Sequence, residues 1–465
     1  MRKLNIPILN FRDQINEISP SFCAAKWKQV TLHLQTGHTH SCHHPRTHKI
    51  PLSELEANPS ALHNTNYKKL QRRKMLEGER PEECDYCWRV EDSGPDAISD
   101  RIYKSADNWA IDHIDAIKEM PWDYDVTPSY LEVSFSSVCN FKCSYCTPQV
   151  SSKWMEEIEK FGPYPTSNQF NNIEWLKQID AMPIPHKDEN PYVDAFWKWW
   201  PEIYTKLEHF RITGGEPLLT KDTFKVLDYV IENPNPALEL SVNSNMCVPE
   251  ALFEKFIEKI KIICSEKKVK QFKIFTSAEA HGAKAEYIRN GLNYNQWLAN
   301  IRRVLDEVPG CTFTVMSTYN ALSVSSYSEF INDILAIKRE YSDHNTVHSP
   351  IILDTPYLRY PNHQAIFILP KEMLAPIYDQ VTLMYQNLQN GDWYGTANKG
   401  FYQWEADKFK RIYELIMHKE DPPGVTRDQI DFVKFVDEHD YRRGTNFLET
   451  FPEFTDVYHK WKAAI

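Results

Sequence analysis

Three cysteines at spacing C-x3-C-x2-C, Cys139, Cys143 and Cys146, follow directly on the apolar run Tyr130–Phe135. The rest of the chain has to be organised around that stretch. A short loop at the end of a strand that gathers three thiolates can hold three irons of a [4Fe–4S] cluster, because soft sulfur ligands suit iron–sulfur chemistry. The fourth iron is then left open to a small molecule. Two other readings fit three close cysteines: part of a zinc site, which wants a fourth ligand, and buried core thiols.

A second stretch narrows the choice. Thr213-Gly214-Gly215-Glu216-Pro217 sits at the end of another strand-like segment, Phe210–Thr213. Two glycines let the backbone approach a ligand closely, and a carboxylate beside them can accept hydrogen bonds from an ammonium group. Together the two motifs resemble those of the radical S-adenosylmethionine (radical SAM) superfamily. The resemblance implies a cluster on Cys139, Cys143 and Cys146 whose open iron chelates SAM, with Tyr145 packing against the adenine and Gly214, Gly215 and Glu216 at the amino group. It extends more weakly to Asn243 in Ser241–Asn245, to Ser277 and Glu279 near the ribose, to Arg289 at the SAM carboxylate, and to Ser317–Asn320. Glu279 departs from the aspartate that relatives often carry. Each of these also has an ordinary strand-end or capping reading. The implied chemistry is one-electron reduction of SAM, release of methionine, and a 5′-deoxyadenosyl radical that takes a hydrogen atom from substrate; such chemistry belongs to the cofactor, and the protein orients it and excludes water.

Composition bounds the rest. At 465 residues, two or three domains are expected. A hydrophobic content of 42% and a charged content of 25% are those of a soluble globular protein. No apolar run approaches the roughly 20 residues that cross a bilayer, and Met1–Asp13 has too short an apolar core for a signal peptide, so a cytoplasmic location is expected. The net charge of −11 argues against bulk nucleic-acid binding. Seven of the ten cysteines fall in two clusters and, without a secretion signal, read as metal ligands rather than disulfides.

The second cluster is Cys23, Cys42, Cys84 and Cys87. Lys28–Gln35 alternates as a strand, Thr36-Gly37 signals a turn, and Cys23 and Cys42 flank the resulting hairpin. Tyr67–Leu76 reads as a basic helix, and the C-x2-C pair Cys84/Cys87 can face one centre. The pattern C-x13-G-x4-C followed by C-x2-C resembles the twitch half of SPASM/twitch domains, here placed before the barrel and not after it. The resemblance implies one auxiliary [4Fe–4S] cluster with no open iron; an all-cysteine zinc site serves equally well. The histidines at 33, 38, 40, 43, 44 and 48 read as hydrogen-bonded or solvent-facing.

Downstream, strands are predicted at Leu131–Ser136, Phe210–Thr213, Leu238–Asn243, Phe272–Ser277, Thr312–Ser317 and Ile351–Asp354, with helices between them. Tyr294–Val308 carries Trp297, Ile301, Val304 and Leu305 at helical spacing. Alternating strands and helices imply a parallel sheet with right-handed crossovers. The resemblance makes this an α/β partial (β/α)6 TIM barrel, with chemistry at the C-terminal strand ends. The expected organisation is a twitch-like domain over residues 1–95, a linker over 96–128 with one helix near Ser105–Glu119, a radical SAM barrel over 129–365, and a helical extension over 366–465. In the extension, Thr426 and Gln429 form a capping box, and Trp404, Ile412, Leu415 and Ile416 mark an amphipathic helix. The segment Tyr441–Pro452 is expected as a loop over one barrel end.

The functional expectation is oxidative modification of a ribosomal peptide or protein by crosslinking or dehydrogenation, with the auxiliary cluster accepting the electron. The alternatives are the same chemistry on a small metabolite (an aminocyclitol, sugar or nucleotide), a peptide epimerase, and a non-enzymatic metal scaffold. A flavodoxin or ferredoxin is the implied electron donor. Cys247 is a candidate hydrogen-atom donor, with core burial as its ordinary reading; Asp354 and Tyr357 are candidate substrate contacts.

Overall fold

The protein is described from a computed structural model covering residues 7–341, 349–389 and 399–465. Eleven strands occur in chain order among them: β1 (Gln29–His33), β2 (His38–His40), β3 (His48–Lys49), β4 (Tyr130–Ser134), β5 (Lys142–Cys143), β6 (His209–Thr213), β7 (Asn235–Asn243), β8 (Val269–Thr276), β9 (Arg289–Asn290), β10 (Thr312–Met316) and β11 (Ile351–Asp354). The chain forms two compact units, each drawn from three stretches. One is Met1–Ser136, Pro183–Gly214 and Asn235–Ser241; the other is Ser137–Met182, Gly215–Pro234 and Val242–Ile465.

In the first unit β1 lies parallel to β4, and β4 parallel to β6, with Thr31, Glu132 and Arg211 in one cross-strand row. β2 and β3 continue from β1 as antiparallel strands. Alternation decides the two faces. Val30, Leu32, Leu131, Val133, Phe210 and Ile212 are all buried. On that side the helix Pro191–Tyr204 stacks Trp200 and Phe196 on Phe210, at ring distances of 5.0 and 6.5 Å. The opposite face carries Gln29, Thr31, Glu132, Ser134 and Arg211. The hairpin turn works because Gly37 sits at φ +68°, with the Tyr192 ring packed where a Cβ would stand.

Residues 96–128, expected as a linker with one helix, instead carry three short helices, Asp100–Ala106, Asn108–Ile111 and Ile114–Glu119. Ile102, Trp109, Ala110 and Ile117 enter the core with Phe22, Trp27, Met75 and Trp88. Burial of those apolar side chains, which no linker needs, ties the segment into the unit. The hairpin is not a separate module either, because β1 hydrogen-bonds directly along β4.

In the second unit β8, β10 and β11 run parallel in adjacent positions. The helix Tyr294–Glu307 buries Trp297, Ile301, Val304 and Leu305, the stripe read from its spacing. A separate two-stranded ribbon pairs β5 with β9 antiparallel, setting Lys142 opposite Asn290 and Cys143 opposite Arg289. The helix Arg427–Arg443 begins with the Thr426/Gln429 capping box and ends at Gly444 in the left-handed region. In the helix Gln403–Met417, Phe409, Ile412 and Ile416 are buried, whereas Leu415, expected on the buried stripe, is 47% exposed because it falls about 90° round the helix from the middle of that stripe. Tyr441–Pro452 is mostly helical and not a loop: its first residues finish Arg427–Arg443, and Phe447–Thr450 is a further turn of helix capped by Asn446. The protein is thus α/β, with a mostly parallel central sheet.

Candidate active site

The cysteine loop lies in the second unit, and local bonds shape it. The Cys139 amide donates to Ser152 Oγ at 3.1 Å, the Phe141 amide to Cys139 Sγ at 3.4 Å, and the Cys146 amide to the Cys143 carbonyl at 2.9 Å. Trp154 Nε1 donates to that same carbonyl at 2.8 Å. Phe141, buried, anchors the loop from within. All three thiols are half-buried and free of disulfides. Burial pushes their pKa values up, Cys146 to about 12, and neighbouring thiolates reinforce the rise. At Cys143 burial is opposed by Arg289, whose Nη1 donates to the sulfur at 3.6 Å.

The glycine pair explains itself sterically. Gly214 has φ +128°, and a Cβ there would stand 2.8 Å from Ser136 O. A Cβ on Gly215 would stand 2.3 Å from Val138 O, one residue before Cys139. The Glu216 amide donates to that same Val138 carbonyl at 2.7 Å. Glu216 itself is buried, and its carboxylate accepts from the Leu218 amide at 3.1 Å and the Asn245 amide at 2.6 Å. The first task of this carboxylate is therefore to join the turn after β6 to the turn after β7. Burial raises its pKa to about 7 against those hydrogen bonds.

Sequence reasoning missed a ring of amides beside the loop. Asn245 Nδ2 donates to Asn140 Oδ1 at 2.7 Å, Asn140 Nδ2 to the Cys247 carbonyl at 2.8 Å, and the Cys247 amide to Asn245 Oδ1 at 2.9 Å. The signals were that Asn140 stands inside the cysteine motif and that Asn245 closes the Ser241–Asn245 stretch, but neither told of the pairing. The Cys247 thiol donates to Asn293 O at 3.6 Å, and burial raises its pKa to about 11, so it keeps its proton at neutral pH.

Three of the predicted residues form one buried cluster. Glu279 Oε2 accepts from Arg289 Nε at 2.9 Å, Arg289 Nη2 at 2.7 Å and Tyr145 OH at 3.2 Å. Arg289 also donates to Tyr145 OH, with its guanidinium 5.5 Å from the ring centre. Glu279 Oε1 has no hydrogen-bond partner among the described residues, an open buried acceptor. Burial pushes Glu279 up, and Arg289 pulls it back. Asn243 ends β7, and Ser277 follows β8, half-buried. Ser317 is buried after β10 and accepts from Tyr327 OH at 3.0 Å. Of the two suggested substrate contacts, Asp354 is taken up by Lys408 at 2.5 Å, and Tyr357 lies under Arg359 at 5.2 Å.

In the first unit Cys23, Cys42, Cys84 and Cys87 line one cavity, of about 390 Å³ including its open mouth, together with Lys26 and Arg101. Lys26 pairs with Glu83 and bonds to Cys84. Among the described residues, no group of three or more His, Cys, Asp or Glu closes around a point as a single metal ion demands. Five of the six nearby histidines are hydrogen-bonded: His33 to His40 at 3.1 Å, His44 to Asp100 at 2.5 Å, His48 to Thr65 at 3.1 Å, and His38 to Thr36 at 3.0 Å. Glu132 and Arg211, on the polar face of the sheet, approach to 3.8 Å and had no motif to announce them. Among the described residues, no helix is long and apolar enough to cross a membrane.

No known protein-family profile matches the chain. Over 132 residues it is 24% identical to the GTP 3′,8-cyclase of Sulfurimonas denitrificans, spanning 28% of this chain and 32% of that one. It is 28% identical over 116 residues to the GTP 3′,8-cyclase of Nautilia profundicola, spanning 25% and 27% of the two chains. With that of Pasteurella multocida it shares 30% identity over 105 residues, 23% of each chain. The chain thus spans less than a third of the length of these relatives. The matches support a place in the radical SAM superfamily. They also support an enzyme, and carry no support for a twitch domain or for peptide modification.

Proposed function

We propose that this chain is a radical SAM enzyme acting on a small metabolite of the nucleotide class, with its parallel strands belonging to a partial barrel. The observation that carries the reading is the fit of the cysteine loop to its surroundings: the Gly215–Glu216 backbone lies against Val138, and Arg289 against Cys143. Cys139, Cys143 and Cys146 would hold a cluster with one open iron. The Gly214–Glu216 backbone, Tyr145, Asn243, Ser277, Glu279, Arg289 and Ser317 would surround SAM. When bound, cluster and SAM supply a hydrogen-abstracting radical.

The chain's own residues orient and shield. Arg289 holds Tyr145 and Glu279 in one arrangement and favours the thiolate of Cys143. Glu279 Oε1 offers an acceptor to a hydroxyl group of the bound molecule. Cys247, beside the amide ring, would return a hydrogen atom. Cys23, Cys42, Cys84 and Cys87 would hold a second centre, whose role is electron transfer. The four thiols on one cavity are a soft donor set that suits iron–sulfur and zinc alike.

Peptide modification, the first expectation, rested on the auxiliary-cysteine pattern and gains nothing from the comparisons. The relatives are named for GTP, which favours the small-metabolite alternative. The test is anaerobic: reconstituted protein, SAM and dithionite are incubated with nucleoside triphosphates, sugars or a peptide fraction, and 5′-deoxyadenosine is counted. Stimulation by a nucleotide, with a mass change in that nucleotide, supports the proposal. Stimulation by the peptide fraction alone overturns it.

A further inference from the structure

The cysteine loop is held from behind by the helix Arg427–Arg443. Arg443, the last residue of the helix Arg427–Arg443, is almost wholly buried. Its Nη1 donates to the Lys142 carbonyl at 2.8 Å, inside the motif and one residue before Cys143. Its Nε and Nη2 fork onto the two oxygens of Glu157, each at 3.2 Å. The guanidinium lies 4.9 Å from the ring centre of Trp154, the residue whose Nε1 bonds the Cys143 carbonyl. Glu157 also accepts from Lys142 Nζ at 2.6 Å and from Tyr164 OH at 2.7 Å. The backbone on both sides of the peptide link between Lys142 and Cys143 is thus fixed by side chains from outside the loop. A planar five-donor fork suits this bridging role in a way that a lysine cannot match.

We propose that Arg443 is a positioning residue of the active site: it fixes the backbone at Lys142, aims the Cys143 sulfur, and sets a buried positive charge behind the thiolates. The inference rests on the function proposed above and extends it. The helix Arg427–Arg443, part of the expected helical extension, acts on the cysteine loop itself. Glu157 balances the charge from the far side of the fork, so the pair sets the local potential as well as the geometry. Burial raises Glu157, but Arg443 and Lys142 outweigh it and hold the carboxylate at about 2, so it is ionised throughout the working range.

The test uses the full-length, reconstituted protein with R443M, R443K and E157Q. The readouts are iron per chain, the thermal transition, and the midpoint potential of the paramagnetic signal that changes on adding SAM. R443M removes a cation beside the thiolates, so its potential moves down; E157Q leaves that cation unbalanced, so its potential moves up. R443K keeps the charge and loses the fork, so its potential stays near wild type while its iron content falls. A residue of purely structural importance would not give opposite shifts in R443M and E157Q. If R443M fails to hold the cluster, the upward shift in E157Q and the iron loss in R443K decide the matter. Unmoved potentials in both charge variants, on a wild-type signal that does respond to SAM, overturn the inference alone. Absence of any SAM-responsive signal in the wild type sinks the proposed function with it.

Discussion

Replacing Gly215 by alanine separates the close-approach argument from a generic turn requirement. The added Cβ would stand 2.3 Å from Val138 O and 2.8 Å from the carbonyl carbon and oxygen of Ser137, all of them backbone. Ordinary contact begins at 3.4 Å, so the two backbones must part by about 1 Å. Overpacking of this kind costs about 1–3 kcal/mol. The bond from the Glu216 amide to Val138 O, at 2.7 Å, is lost with it, adding roughly 0.5–1.5 kcal/mol. A total of about 2–4 kcal/mol is expected from urea denaturation. The functional effect is of similar size, because the moved residue precedes Cys139; a displacement near 1 Å costs about 10²-fold in rate, or about 2.7 kcal/mol. The assay is 5′-deoxyadenosine formation together with SAM affinity. Gly424 serves as the control, since a Cβ there meets nothing within 4 Å. A G215A protein as stable and active as G424A would refute the reasoning.

Other outcomes follow from the same geometry. Glu216 is buried with a pKa raised to about 7 from 4.5. The folded chain therefore keeps a proton that the unfolded chain has lost between those values. The contribution of this group to stability is then greatest at and below about pH 4.5 and falls by about 3 kcal/mol toward pH 7. E216Q should flatten that decline, measured by denaturation at pH 5 and 7.5; an unchanged slope counts against the assignment. In the buried Arg289–Glu279 pair, E279A strands a guanidinium that cannot lose its proton, at about 3–5 kcal/mol. R289M strands a carboxyl that can simply take one up, so it should cost less; the reverse order in denaturation would be contrary. C84A/C87A should lower iron and acid-labile sulfide while leaving SAM cleavage in place. Loss of one zinc per chain with unchanged sulfide would make the auxiliary site a zinc site.

Much of the site was legible because it depends on local spacing. Cys139, Cys143 and Cys146 lie within one loop, and Gly214–Glu216 within one turn, so their geometry follows from a few residues of backbone. The Thr426/Gln429 cap and the stripe of Tyr294–Glu307 were legible for the same reason. Pairings over long separations were not. The register of Gln29 against Tyr130 spans about a hundred residues, and nothing in the alternation of Lys28–Gln35 names its partner. The helices between 100 and 119 are too short for periodicity to stand out, and burial alone stabilises them. Arg443 fell within Tyr441–Pro452, the segment expected as a loop. Only the fold brings it to Lys142, and a single guanidinium carries no spacing signal. Leu415 misled because it flanks the arc on which Phe409, Ile412 and Ile416 take the core.

The most direct test of the central claim is to supply SAM and a one-electron reductant to the anaerobically reconstituted chain and to measure 5′-deoxyadenosine and methionine together. The account predicts both products in equal amounts from the wild type, and neither from C143A, which lacks the sulfur that Arg289 faces. A wild-type protein with its cluster shown intact that forms no 5′-deoxyadenosine, even slowly, would contradict it.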